Sequence, residues 1–402
     1  MKQLTILGII RGLRSFYFGY IAFLIPLFLS HEGFSTVEIG IYALVATIAS
    51  SILVLTAGFL GDLYSRKKAL LIMSGLPALI FTSFILTSNF EILFITSIFG
   101  ITFSAIGGGA GGGPVAPILT AFVADKTNPG SRTRIYSILM IVSIASATAG
   151  SSTSAFFEKY VADYYTILFS LALILNVTSI FLILFLEDTK LKRQKVKRSE
   201  NVLPKDSAGN ILKLGLSGAF GSIGLGVITP IMSLYLKDVG LPAYVISEIF
   251  TGSYVSAGIA VYFSSRMERI FGSIYAIGIF RSLGCVLFIL IPFVSPIMAG
   301  VIYDIRTGFY QLALPIRQSF QMELLNPEER ARGNSLTGIA RRLPYGASTT
   351  LGSVLLSSGL IVVMFSFAGI VSLFDPILYV FFFRKYNHRD QKKKGEAMIT
   401  VD

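Results

Sequence analysis

Long apolar segments dominate this sequence and restrict what it can fold into. Twelve of them have about 20 residues or more, the length that an α-helix needs to cross the hydrocarbon core of a membrane. Apolar residues make up 53% of the 402 residues and charged residues 14%, whereas soluble domains are about one quarter charged. The sequence therefore predicts an all-α membrane protein with twelve transmembrane helices. The predicted spans are 6–30, 38–60, 69–88, 91–123, 134–157, 165–186, 211–236, 243–264, 273–294, 296–322, 333–357 and 360–383.

Basic residues are concentrated in one set of the loops between these spans. The formal net charge of +12 would suggest nucleic-acid binding in a soluble protein. Here the excess follows the positive-inside pattern, because the opposite loops contain only Lys159 and Lys237. We expect both termini in the cytoplasm, a location in the plasma membrane and no nucleic-acid partner. The single cysteine, Cys285, lies within a span, so no internal disulfide is expected.

Two halves of the chain carry related loop sequences. The segment DKTNPGSRTR (125–134) recurs as ELLNPEERAR (323–332), so the pattern Asn-Pro-x-x-Arg-x-Arg occurs twice. A polar, basic linker separates the two copies. The predicted organisation is a six-helix bundle at 1–186, a cytoplasmic linker at 187–210, a second six-helix bundle at 211–384 and a cytoplasmic tail at 385–402.

The loop after the second span carries a recognisable motif, GFLGDLYSRKKAL at 58–70. It resembles the signature loop of the major facilitator superfamily, with Leu63 and Ser65 as departures from the pattern. A weaker copy, SSRMERIFGS, follows the eighth span. The resemblance covers essentially the whole chain. It implies two pseudo-symmetric bundles that move a solute by alternating access, with the binding site at the interface of the repeats.

The resemblance also implies ion pairs that close the cytoplasmic side and separate when the halves rock. Arg66 and Arg132 or Arg134 could pair with Asp62 and Asp125. Plain topogenic charge is the alternative interpretation of these residues. The predicted cytoplasmic gate consists of Gly58, Asp62, Arg66, Lys67, Asp125, Arg132, Arg134, Glu268, Arg269, Glu323, Arg330 and Arg332.

A glycine-rich run, AIGGGAGGGPVAP at 105–117, interrupts the fourth span. It formally contains Gly-x-Gly-x-x-Gly, but no strand precedes it, so a dinucleotide site is rejected. The run predicts a bent or unwound helix, used either for tight helix packing or as a hinge beside a cavity. The fifth span lacks the Gly-Pro element expected of family antiporters, which weighs against a proton-driven drug exporter.

Several charges are predicted near the middle of the membrane. Arg341 and Arg342 lie roughly 12 Å from the nearer end of their span, and Asp304 and Arg306 roughly 12–15 Å from theirs. A charge at this depth costs a few kcal/mol unless it faces a partner or water. Because arginine grips carboxylate and phosphate through two parallel bonds, the excess positive charge predicts an anion-binding site. Asp304 is expected to pair with Arg341 or Arg342. The alternative to an anion site is a buried structural network neutralised by Asp304, carbonyl groups and waters.

Other residues of the spans receive separate predictions. Arg281 and Asp375 are expected to form a structural ion pair, and Arg317 to join the cytoplasmic gate. Arg11 is expected to snorkel. The residues predicted to bind the substrate are Arg306, Arg341, Arg342, Asp304, Arg14, Tyr17 and Tyr20.

The sequence contains no Walker-type or zinc motif, so neither an enzyme activity, a cofactor nor a metal site is expected. The expected function is secondary transport of a small organic or phosphorylated anion through the lipid bilayer. Asp304 is the candidate proton carrier, but neighbouring arginines disfavour its protonation, so anion exchange is an alternative to proton coupling. Two other functions remain open: a proton-coupled exporter of amphipathic compounds and a membrane sensor or receptor that transports nothing.

Overall fold

A computed structural model describes residues 2–63, 65–101, 113–115, 118–119, 122–123, 126, 129–187, 206–326 and 330–386. All the regular elements in these ranges are helical. The α-helices are α1 (Lys2–His31), α2 (Thr36–Leu63), α3 (Arg66–Leu86), α4 (Phe90–Ile95), α5 (Pro129–Tyr160), α6 (Tyr164–Leu184), α7 (Ala208–Ile228), α8 (Met232–Asp238), α9 (Ala243–Phe271), α10 (Ser273–Leu290), α11 (Pro296–Leu324), α12 (Arg330–Ser357) and α13 (Ile361–Phe383).

The helices follow the predicted spans closely. The fourth span, 91–123, is described only in part, as α4 and a 3₁₀ turn at Thr96–Phe99. The seventh span is divided into α7 and α8 by the 3₁₀ turn Thr229–Ile231, where Pro230 cannot donate a backbone hydrogen bond. Within the described ranges, nine helical segments are long and apolar enough to cross a membrane. Neither α11 nor α12 is among them, and these are the helices that carry the predicted mid-membrane charges.

The described chain forms two compact units. Unit 1 contains residues 1–198, 229–255 and 349–357. In it, α1 packs against α5 and α6, and α3 packs against α6. Burying these apolar faces excludes lipid and water from the helix contacts. One of its core clusters includes Leu7, Ile10, Leu70, Met73, Phe122, Leu139 and Ile183.

Glycine makes the contact between α1 and α5 unusually close. A Cβ atom placed on Gly19 would overlap the carbonyl oxygen of Ala147. A Cβ on Gly150 would overlap the carbonyl oxygen of Phe16 in the same way. Small residues let helix backbones approach each other in membranes, where packing rather than water drives association. The two glycines therefore fix the spacing of α1 and α5.

Unit 2 contains residues 199–228, 256–348 and 358–402. In it, α13 packs against α7 and α10, and α10 packs against α11. The helices α9 and α12 contribute residues to both units. Its core cluster includes Ile274, Ile277, Leu312, Ile316, Phe320, Tyr379 and Phe383.

The predicted domain boundary lies at the central linker alone, whereas the two compact units also divide the chain within α9 and α12. Most of the linker, at 188–205, and most of the tail, at 387–402, lie outside the described residues. The two six-helix halves at 1–186 and 211–384 therefore stay a prediction.

Candidate functional site

Asp375 on α13 is the centre of a buried ion-pair network in unit 2. Its side chain is 1% exposed, and its Oδ2 lies 2.6 Å from Nη1 of Arg281 on α10. Nη1 of Arg317 on α11 donates to both carboxylate oxygens, each at 3.0 Å. The predicted Arg281–Asp375 pair is confirmed. The prediction that Arg317 joins the cytoplasmic gate is wrong, because this side chain is buried and its guanidinium is bound to Asp375.

Two glycines of α7 make room for this network. A Cβ atom on Gly221 would lie 2.7 Å from Oδ2 of Asp375. A Cβ on Gly218 would lie 2.8 Å from Cγ and Cδ of Arg341 and 3.2 Å from Nη2 of Arg317. The glycine face of α7 therefore brings side chains from α11, α12 and α13 to one place.

Arg306 on α11 is buried and has no carboxylate partner in the part of the chain that the structure describes. Its side chain is 5% exposed, and its guanidinium carbon lies 4.0 Å from the ring centre of Phe288 and 5.1 Å from that of Tyr310. The same tyrosine ring lies 4.6 Å from the guanidinium of Arg281. Among the described residues, Nε of Arg306 has no hydrogen-bond partner. The aromatic rings thus cover the face of the guanidinium but do not neutralise its charge.

Arg341 on α12 approaches the same group. Its Nε donates to the carbonyl oxygen of Thr337, one turn earlier in the same helix, at 3.2 Å. Arg341 is close enough to Arg281, Asp375 and Tyr310 to interact with them electrostatically. In the described part of unit 2 it forms no ion pair within 4.0 Å.

The expected pairing of Asp304 with Arg341 or Arg342 stays a prediction. Arg341 is directed toward Gly218 of α7 and binds a carbonyl of its own helix. Arg342, the next residue, is exposed, because adjacent side chains on a helix point about 100° apart. Asp304 is half-buried on α11.

We call Arg281, Arg306, Arg317, Arg341 and Asp375 the arginine cluster. It contains four guanidinium groups and one carboxylate. Asp375 binds two of the arginines directly, so the charges of the other two are not balanced by an ion pair among the described residues. Guanidinium groups that lack an ion-pair partner can donate hydrogen bonds to further acceptors.

Another buried arginine, Arg14, is located on α1 in unit 1. Its side chain is 2% exposed, and its guanidinium lies 5.6 Å from the ring centre of Phe18. Nε and Nη1 have no hydrogen-bond partner within the described ranges. Arg11, one turn earlier, was expected to snorkel, but its Nε donates to Ser143 Oγ on α5 at 2.6 Å. Arg11 therefore takes part in the contact between α1 and α5.

Tyr17 and Tyr20, which were predicted to line a cavity, are fully buried in helix contacts. The hydroxyl of Tyr17 accepts a hydrogen bond from Nδ2 of Asn176 on α6 at 3.0 Å. The hydroxyl of Tyr20 donates to the carbonyl oxygen of Leu168 on the same helix at 3.0 Å. These contacts join α1 to α6 and favour a packing role for both tyrosines.

Comparison with known proteins identifies the family to which this fold belongs. The family model of the Major Facilitator Superfamily matches residues 7–302 of the chain. The chain belongs to the major facilitator superfamily. The comparison with curated protein sequences gives no match.

Several solved structures of transporters are similar in fold. The nucleoside transporter NupG has a TM-score of 0.72 at 13% identity over 95% of this chain and 98% of that chain. A D-xylose–proton symporter has a TM-score of 0.70 at 14% identity, with 94% and 97% covered. A bacterial homologue of the iron transporter ferroportin, in an inward-facing state, has a TM-score of 0.69 at 18% identity, with 94% and 98% covered. The predicted all-α membrane fold and the predicted family are therefore confirmed.

As a member of the major facilitator superfamily, the protein is a multi-pass membrane transporter of a solute.

Two of its predicted gate residues have local partners. Nζ of Lys67 at the start of α3 donates to the carbonyl oxygen of Leu184, the last residue of α6, at 2.6 Å. Oε1 of Glu268 accepts from the hydroxyl of Ser273, at the start of α10, at 2.8 Å. Both contacts stabilise helix ends.

The remaining gate residues are described to different extents. Arg66 and Glu268 are half-buried, whereas Arg269 and Glu323 are exposed. The family motif at Asn326 is tied to the start of α7, where its backbone N–H donates to Ser207 Oγ at 3.0 Å. Asp125 and most of the glycine-rich run, at 102–112 and 116–117, lie outside the described residues. The surroundings of Gly58 and the side chains of Asp62, Arg132, Arg134, Arg330 and Arg332 also lie outside the description.

Glu158 is a polar residue of this transporter that the sequence reasoning missed. The predicted fifth span ended at 157, but α5 continues to Tyr160. The Glu158 carboxylate accepts from Ser154 Oγ at 2.8 Å and from Ser247 Oγ at 2.6 Å. The spacing of Ser154 and Glu158, four residues apart on one helix face, was the sequence signal for this contact.

Among the described residues, no group of three or more His, Cys, Asp or Glu could hold a metal ion.

Proposed function

We propose that this transporter moves a small anionic solute, an organic carboxylate or a phosphorylated compound, by alternating access. The observation that supports the proposal is the charge of the arginine cluster. Arg306 and Arg341 have no carboxylate partner among the described residues, and the only carboxylate of the cluster is already bound to two other arginines.

The physical reason is the cost of leaving a charge buried. An arginine near the middle of a membrane costs several kcal/mol unless a partner or water compensates it. Each guanidinium carries five N–H donors in its plane. Phe288 and Tyr310 contact the flat face of Arg306 and leave the donor edges available. A carboxylate or phosphate can accept two parallel bonds at such an edge.

Thermal stabilisation of the purified transporter provides the first test. We expect organic and phosphorylated anions to raise its melting temperature, because a ligand that binds only the folded state stabilises it. Arg306→Gln should abolish this shift and leave the unliganded protein folded. Arg266→Gln is the matched control, because Arg266 is an exposed arginine of α9, and it should retain the shift.

Transport itself is tested with the protein reconstituted in liposomes. Uptake or exchange of the stabilising anion should be lost in Arg306→Gln and retained in Arg266→Gln. Stabilisation by lipophilic cations alone would instead favour the exporter of amphipathic compounds. Ligand binding without any flux would favour the sensor or receptor. Unchanged anion transport by Arg306→Gln would refute the proposal.

We further propose that both termini face the cytoplasm of a plasma-membrane protein and that the halves 1–186 and 211–384 move against each other. The charge asymmetry of the loops supports this orientation. A thiol introduced in the basic tail of a Cys285→Ser chain tests it, because the natural sequence has one cysteine. A membrane-impermeant reagent added outside intact cells should fail to label that thiol, and labelling would reverse the orientation.

A further inference from the structure

Glu158 joins two helices within unit 1. It lies in the last turn of α5, and Ser247, which donates to its Oε2 at 2.6 Å, lies in the second turn of α9. Ser151 on α5 donates to the backbone carbonyl of Ser247 at 3.0 Å. Ser151 and Ser247 are each fully buried. The contact between the end of α5 and the beginning of α9 is therefore built around one carboxyl group.

The charged group closest in sequence does not neutralise Glu158. The ammonium of Lys159 lies 5.4 Å from the ring centre of Tyr160 and 5.5 Å from that of Tyr244 on α9. In the part of the chain that the structure describes, Glu158 forms no ion pair within 4.0 Å. On α9 the other ionisable neighbour of Ser247 is Glu248, which is exposed.

Within the described ranges, α6 and α1 add no partner of opposite charge to Glu158. On α6, Tyr164 and Tyr165 interact electrostatically with Glu158. At the end of α1, His31 and Glu32 bind each other at 3.2 Å, and His31 contacts the ring of Tyr165 with 5.2 Å between ring centres.

We propose that Glu158 is a proton-binding site, and that it takes up its proton when α5 and α9 come into contact. Serine hydroxyls can donate or accept hydrogen bonds. A neutral carboxylic acid could therefore donate its proton to Ser247 and still accept from Ser154, whose hydroxyl can alternatively bond a carbonyl of its own helix. Among the described residues, the neutral acid can both donate and accept a hydrogen bond, whereas the carboxylate has two hydroxyl donors and no cation within 4.0 Å.

Proton uptake at this position favours the contact by thermodynamic linkage. Water solvates the carboxylate when the two helix segments are apart, and closing the contact removes that water. The contact must therefore become more populated at low pH and less populated as the pH rises. The reciprocal effect also holds, because opening the contact releases the proton to the side on which it opens. The site thereby couples a proton to one conformation of the transporter.

A fluorescence experiment without any solute tests this site independently of the proposed anion. The chain contains no tryptophan, so Tyr244→Trp introduces a single reporter one turn from Ser247. We expect its emission to shift to longer wavelength as the pH rises from about 5 to about 9, because opening the contact exposes the ring. Added to this reporter, Glu158→Gln should hold the emission at its low-pH position throughout.

Two control variants separate Glu158 from its neighbours. Glu248→Gln removes the exposed carboxylate beside Ser247, and His31→Gln removes the histidine near Tyr165; both should keep the pH response. Loss of the response with His31→Gln alone, or no response in the reporter protein, would overturn the proposal. If Glu158→Gln does not fold, Ser247→Ala should move the midpoint of the response, and an unmoved midpoint would equally overturn it.

Discussion

Replacing Asp375 by asparagine gives the sharpest test of the arginine cluster. The carboxylate is 1% exposed and contacts Arg281 at 2.6 Å and Arg317 at 3.0 Å. The substitution Asp375→Asn would keep the size of the side chain and remove its charge. Both guanidinium groups would then stay buried without an anion, in the environment where an isolated charge is most costly.

The structure sets the expected magnitude. Removing one partner of a buried ion pair costs about 3–5 kcal/mol of the free energy of unfolding. Two arginines lose the same partner here, so we expect Asp375→Asn to cost about 5 kcal/mol, at the upper end of that range. Arg281→Gln should cost less, about 2–3 kcal/mol, because Asp375 keeps both hydrogen bonds from Arg317.

The assay is equilibrium unfolding in mixed detergent micelles, carried out as a double-mutant cycle. The double variant Asp375→Asn with Arg281→Gln should be more stable than the sum of the two losses predicts, because one stranded cation is removed with its partner. Equal losses for the two single variants, with full additivity in the double variant, would refute the reasoning. That result would mean that water or an ion already solvates the cluster.

Three smaller changes test other contacts by the same unfolding assay. Gly221→Ala should cost about 1–3 kcal/mol, because its methyl group would lie 2.7 Å from Oδ2 of Asp375. Gly75→Ala in α3 is its matched control: nothing lies within 4 Å of the added atom, and the helix should gain up to about 1 kcal/mol. Asn176→Ala should cost about 1 kcal/mol through the lost hydrogen bond to Tyr17, and Tyr17→Phe should cost a similar amount.

The helices were predictable from sequence because lipid imposes a minimum length on each span. The predicted limits 243–264 and 296–322 fall within α9 and α11, which are seven and two residues longer. The extra residues of α9 are largely polar, so hydropathy alone does not reveal them. For the same reason α5 was ended before Glu158, and the residue was missed.

An ion pair could be predicted from the sequence only where a buried charge had a single candidate partner. Arg281 and Asp375 were expected at similar depths, and each needed a partner, so their ion pair could be inferred. Arg317 was assigned to the gate from its distance to the membrane boundary alone. An arginine side chain is long enough to reach more than one helical turn from its own Cα atom. The direction of Arg317 depends on the space that Gly218 of α7 leaves for its guanidinium and that Gly221 leaves for Asp375.

The same reasoning shows what a bound anion could do for this transporter. Ring contacts with a cation are worth about 2 kcal/mol when buried, but they leave Nε of Arg306 without an acceptor among the described residues. A buried donor without a partner costs about 1–3 kcal/mol, so an anion that supplies acceptors recovers this energy on binding. A ligand shifts a conformational equilibrium only by the difference in its affinity for the two states. An anion could therefore drive the cycle only if the arginine edges are aligned for it in one state and separated in the other.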